Sequence, residues 1–125
     1  MYTVIILIFV ILCLFIGHVS YQFMDSYLLI HSPYWKDFIL TYSDVQSIQI
    51  VSNQQIGLRT FGFGNLKLSM GSFHNNLYGD YKRYTYKSCP ICIEIHLEQT
   101  ILVINENNEQ ATNELFNELN KRVSL

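Results

Sequence analysis

Ile91–Asn105, ICIEIHLEQTILVIN, decides the fold. Ile91, Ile93 and Ile95 alternate with Cys92, Glu94 and His96, the two-residue period of a strand with one apolar and one polar face. After the polar Leu97–Gln99 turn, Thr100–Asn105 (TILVIN) returns as the antiparallel partner, giving a hairpin. Nine tyrosines and eight phenylalanines across the 125 residues also favour pleated strands over a helical bundle.

Downstream of the hairpin the period changes to that of a helix, expected from about Asn108 to Val123. Ala111, Leu115, Phe116, Leu119 and Val123 form one stripe, and Asn107 with Gln110 three residues later reads as a capping box. A lone amphipathic helix of this length is unstable, so it must cover an apolar surface, expected at the open end of a β barrel.

Upstream, Gly57, Gly62, Gly64, Gly71 and Gly79 punctuate a stretch read as turn-rich, with short strands at Leu58–Phe63, Leu66–Met70 and Tyr81–Lys87. Earlier strands are expected around the Asp25-Ser26-Tyr27 turn within Tyr21–Ile30, at Asp37–Tyr42 and at Val45–Val51. In the last of these, Ile48 and Ile50 share a face opposite polar neighbours, so that strand reads as half-buried.

At the start of the chain, Tyr2–Val19 carries no formal charge and holds the apolar run Thr3–Gly17. As a helix, those eighteen residues reach about 27 Å, close to the thickness of a bilayer core. No Lys or Arg precedes the run and no small-x-small site follows it, which disfavours a cleaved signal peptide. The expected organisation is a transmembrane helix over 1–20 and one β domain over 21–125, in a single-pass protein of the bacterial cell membrane. No basic residue follows the run before Lys36, so the side of the membrane is not fixed.

The net charge of −2 conceals an uneven layout. Arg59, Lys67, Lys82, Arg83 and Lys87 face only Asp80 between positions 59 and 87, whereas Glu94–Arg122 carries six glutamates against two cations. These five cations are the expected contacts for a carboxylate, a phosphate or an anionic headgroup. Tyr81–Lys87 interleaves aromatics with cations, the pattern of a single-stranded nucleic-acid surface or a headgroup-binding strand; with Tyr84 and Tyr86 on one face and Arg83, Thr85 and Lys87 on the other, the alternative reading is that the tyrosines belong to the core. Nucleic acid is disfavoured by the acidic balance.

Chemistry-bearing motifs are few. Gly62-Phe63-Gly64 lacks the remaining glycine, the helix and the Lys-Ser/Thr pair of a phosphate loop. Glu94 and His96 share a strand face without an activated nucleophile. Cys89-Pro90-Ile91-Cys92 leaves three readings: structural cysteines, a disulfide, or half of a metal or redox site completed by His74 or His96. No catalytic residue, metal ligand, cofactor or small-molecule substrate is assigned.

Arg59–Phe73 (RTFGFGNLKLSMGSF), Gly79 and Tyr81 before a β run, the two hairpin strands and the terminal helix together resemble the bacterial pleckstrin-homology-like domain family. The resemblance covers roughly Phe23–Val123. It implies a bent β barrel or sandwich closed by a C-terminal helix, behind a membrane anchor, and no catalytic constellation. Gly71-Ser72-Phe73 departs from the family's frequent Gly-Trp-Phe, and the CPIC sequence lies outside its pattern. The expected function is a non-enzymatic, membrane-anchored binding or adaptor module for a protein, a peptide or an anionic membrane surface. The alternatives are thiol or metal chemistry at Cys89 and Cys92, or a structural subunit of a membrane complex.

Overall fold

The computed structural model describes residues 2–15, 18–32, 36–53, 58–64, 67–76 and 78–123, with the main chain only at 12–15 and 58–64. Helix α1 (Tyr2–Phe15) precedes β1 (Ser20–Phe23), β2 (Tyr27–His31), β3 (Phe38–Thr41), a 3-10 turn (Tyr42–Asp44) and β4 (Val45–Ser52). Strands β5 (Leu58–Gly64), β6 (Leu68–Asn75), β7 (Gly79–Tyr86), β8 (Ile91–Leu97) and β9 (Ile101–Ile104) lead to helix α2 (Glu109–Arg122).

The strands form two sheets, β1-β2-β3 and β4-β8-β9-β7-β6-β5. The β8–β9 hairpin pairs Ile93 with Ile104 and Ile95 with Leu102, as the alternation predicts. No closed barrel forms among the described residues, because β4 and β5 end the larger sheet without joining. The glycine-rich centre is also less broken than expected. Gly62 and Gly71 lie inside β5 and β6 and face each other across the ladder. Gly79, at φ +73°, begins β7 just after the tight β6–β7 turn. Strand β6 consequently runs to Asn75, well past Met70.

One face of the larger sheet packs against the small sheet and α2. Leu28, Ile30 and Leu40 meet Leu68, Met70, Tyr84, Tyr86, Ile93, Ile95, Leu102 and Ile104, joined by Leu115, Leu119 and Val123 from the helix. Burying such side chains contributes roughly 1.5–3 kcal/mol each. Polar groups tie the layers together. The Tyr21 hydroxyl bonds the Asn105 carbonyl at 2.7 Å, and the Asn105 amide donates to the Tyr86 carbonyl while accepting from the Tyr86 N–H. Asn105 thus finishes the parallel β7–β9 pair with its side chain, satisfying main-chain groups that would otherwise be buried without partners.

Helix α2 crosses β8 and β4 and does not plug a barrel end. Its N-cap is Asn108, whose side chain accepts from Ala111 N–H at 2.8 Å, one residue beyond the predicted Asn107. Buried Thr112 takes the first place on the apolar stripe, and Ala111 lies half-buried.

Helix α1 holds fourteen residues, about 21 Å at 1.5 Å per residue. No helix among the described residues is long and apolar enough to cross a membrane. The predicted span is also too long at its C-terminal end, because Val19 is 2% exposed and belongs to the core of the β domain. Ile16 and Gly17 lie outside the described residues. Every side chain described on α1, from Tyr2 to Ile11, is exposed.

Candidate functional site

The second face of the larger sheet carries the chain's unusual chemistry. Pairing register builds one row across all six strands: Gln49 on β4, Glu94 on β8, Val103 on β9, Arg83 on β7, Gly71 on β6 and Gly62 on β5. Period-two alternation sends these positions to the same side. Phe73, Tyr81 and Cys92 join Val103 of this row in a second buried cluster, with Val51, Tyr78 and Ile101 packed against it.

Arg83 lies inside this layer at 2% exposure. Its guanidinium donates to Asn53 Oδ1, to Thr85 Oγ1 at 3.1 Å and to the Tyr81 hydroxyl at 3.3 Å, and sits 5.8 Å from the Tyr81 ring centre. Gly71, its ladder neighbour, has no side chain to compete for that space. The prediction that Arg83 offers a surface cation is therefore corrected. A desolvated, hydrogen-bonded guanidinium organises the interior and does not reach a partner.

Glu94 is likewise buried, at 6% exposure, although polar alternation suggested a solvent-facing row. Gln49 Nε2 donates to Glu94 Oε2 at 2.8 Å, and His96 Nε2 is hydrogen-bonded to Oε1 at 2.8 Å. Above this triad opens a cleft of about 420 Å³, lined by Gln49, Val51, Ser52, Tyr78, Glu94, His96 and Ile101. Burial together with the Glu94 charge pushes the Tyr78 hydroxyl up to about 12. A second cleft of about 260 Å³, at the other end of β4, is lined by Asp44, Leu97, Glu98, Gln99 and Thr100. Both clefts border β4, and their charged groups are carboxylates with His96.

Cys89 and Cys92 are both buried with free thiols and have separate partners. Cys89 Sγ lies 3.5 Å from Thr112 Oγ1, while Cys92 Sγ contacts the Ser52 carbonyl. Burial raises the Cys92 thiol to about 11, the opposite of what an attacking thiolate needs. Of the suggested zinc ligands, His74 is paired with Asp80 and His96 with Glu94. No metal-holding group of His, Cys, Asp and Glu occurs among the described residues.

The other predicted cations divide. Lys87 N–H donates to the Lys67 carbonyl at 2.8 Å, so these two residues meet at one end of β6 and β7. Lys82 is exposed on β7, five residues away from Lys87. The Arg59 side chain lies outside the described residues. Lys67 Nζ is 5.7 Å from the Tyr86 ring centre. The Tyr86 hydroxyl accepts from Val19 N–H at 2.9 Å and donates to the Val19 carbonyl at 3.1 Å. Lys67 therefore lies beside the ring whose hydroxyl holds Val19 at the start of the β domain; Val19 and Tyr86 are 67 residues apart, a proximity that no local motif encodes.

Gln49, Asn53, Tyr78 and Asn105 went unrecognised in the sequence. Only cross-strand register brings them to Glu94, Arg83 and Tyr86.

Two sheets closed by a C-terminal helix define a PH-like β domain. Residues 19–123 match the family model described as the bacterial PH domain. The chain belongs to the bacterial PH domain family, a class of binding modules. No curated protein and no solved structure gives a match.

Proposed function

We propose that this chain is a membrane-tethered, non-enzymatic binding module of the bacterial cell membrane. Helix α1 enters the bilayer, and Lys67 and Lys87 meet anionic headgroups at the helix root. A protein or peptide partner docks on the outward part of the domain.

Two observations support this reading: an uncharged helix with exposed side chains from Tyr2 to Ile11, and, at the start of the β domain, Val19 bonded to Tyr86 beside Lys67. Water is a poor environment for that helix, because apolar surface transferred to lipid gains about 25 cal/mol per Å². At about 21 Å the helix is shorter than a hydrocarbon core of roughly 30 Å, so its fourteen described residues enter the bilayer without crossing it.

Vesicle flotation tests the proposal. The full chain is expected to float with neutral vesicles, and the paired substitution Ile5→Glu and Phe9→Glu should leave it at the bottom of the gradient. With vesicles containing about 30% phosphatidylserine, Lys67→Gln with Lys87→Gln should lower the bound fraction at low salt, each cation being worth about 1 kcal/mol near the surface. Failure of the wild-type chain to float rejects the tether. Equal binding by the lysine variant rejects the headgroup contact.

A further inference from the structure

Strand β4 ends the larger sheet, with β8 as its sheet neighbour. An edge strand offers a row of main-chain donors and acceptors to another strand, and proteins commonly blunt such edges with charges or proline. Val45–Ser52, VQSIQIVS, contains neither; its register shifts once, between Val45 and Ser47, and the ladder is regular from Ser47 to Ser52. Gln46, Ser47, Gln49 and Ser52 are exposed, as is Ile50 at 36%. Ile50 was expected on a half-buried face. Its exposure follows from β4 lying at the edge, where only part of the strand is covered.

The clefts at the two ends of this edge are lined by carboxylates together with His96. Glu94 lines the cleft beside Gln49 and Val51, and Asp44 with Glu98 line the cleft at the opposite end of the strand. The two guanidiniums near its ends are already engaged: Arg83 with Asn53, Thr85 and Tyr81 in the interior, and Arg122, beside Tyr42, with Glu118. An uncharged hydrogen-bonding edge between two carboxylate-lined clefts is complementary to an extended segment carrying lysine or arginine side chains.

Resting on the binding-module reading, we infer that β4 is a docking edge for an extended basic peptide segment of a partner protein. The segment adds as a further strand of the larger sheet. Its main chain supplies the hydrogen bonds, and a cationic side chain enters the Gln49–Glu94–His96 cleft. Glu94 already accepts from Gln49 and His96 and retains lone pairs for a third donor.

The test uses the full chain in neutral detergent and a fluorescein-labelled, eight-residue peptide of alternating lysine and valine, read by fluorescence anisotropy. That peptide should bind, and its glutamate–valine counterpart should not. Two versions of the lysine peptide, N-methylated at alternate sets of residues, separate strand addition from simple charge attraction. The set whose N–H groups point away from β4 should bind like the parent, and the other should bind at least about tenfold more weakly, because it loses several main-chain hydrogen bonds. Asp44→Asn with Glu98→Gln should weaken the parent peptide about fivefold at low salt, with less effect at high salt.

Equal binding of the acidic peptide, or indistinguishable behaviour of the two N-methylated forms, overturns the inference. So does a β4-mediated dimer that Ile50→Lys dissolves and that takes up no peptide. Flotation is a separate measurement, so a failed peptide experiment leaves the membrane tether standing.

Discussion

Arg83 and Lys82 are chain neighbours with opposite fates. Alternation along β7 leaves Lys82 in solvent and sends Arg83 into the second cluster, where Asn53, Thr85 and Tyr81 receive its protons. Removing such a guanidinium strands those acceptors and leaves a void. Arg83→Ala is therefore expected to cost about 1–3 kcal/mol, a sizeable share of the roughly 5–15 kcal/mol that holds a domain together. Lys82→Ala should stay within about 0.5 kcal/mol. Urea denaturation of both variants in the same detergent gives the comparison. Similar midpoints would refute the interior role of Arg83.

Helix α2 shows how an element is placed by its cap and its stripe together. Leu115, Leu119 and Val123 are buried on the sheet, and Thr112 Oγ1 accepts from Glu106 N–H in the connection after β9 and donates to the Asn108 carbonyl. Asn108 supplies the acceptor that the free helix N–H groups require. Asn108→Ala should lower stability by about 1 kcal/mol, and Asn107→Ala by clearly less, since its side chain does not cap the helix. Thermal melts followed by circular dichroism at 222 nm distinguish the two; equal losses would return the cap to Asn107. The three-to-four residue spacing of the stripe was legible from composition and order. The identity of the cap was not, because consecutive asparagines present the same chemistry one residue apart.

At the scale of the whole molecule, groups buried in neutral form set the alkaline limit of stability. Burial raises Cys92 to about 11 and both Tyr78 and Tyr84 to about 12, against ordinary values of 9.0 for the thiol and 10.0 for the phenols. Because these folded values are raised, their contribution is complete below the unfolded values and is lost as pH climbs through the folded ones. Stability should hold from neutrality to about pH 9 and fall between about pH 9 and 12, with the first part of that fall reduced in Cys92→Ser. Denaturation midpoints across that range supply the measurement, and a flat profile would contradict the neutral burial of these groups.

The sequence by itself determined the periodic features: the β8–β9 hairpin, the terminal helix, the strands around the Asp25–Tyr27 turn and the uncharged leading segment. Each depends on neighbours within a few residues, so a repeat of two or of 3.6 suffices to reveal it. Only the tertiary structure decided that Arg83 and Glu94 are interior, that Gln49 and His96 share the Glu94 carboxylate, that Lys67 lies over the Tyr86 ring whose hydroxyl holds Val19 and that β4 is an edge. The physical reason is that alternation names two faces of a strand without saying what covers either. Coverage comes from strand order and register, which join residues such as Val19 and Tyr86 or Gln49 and Glu94 across long stretches of chain.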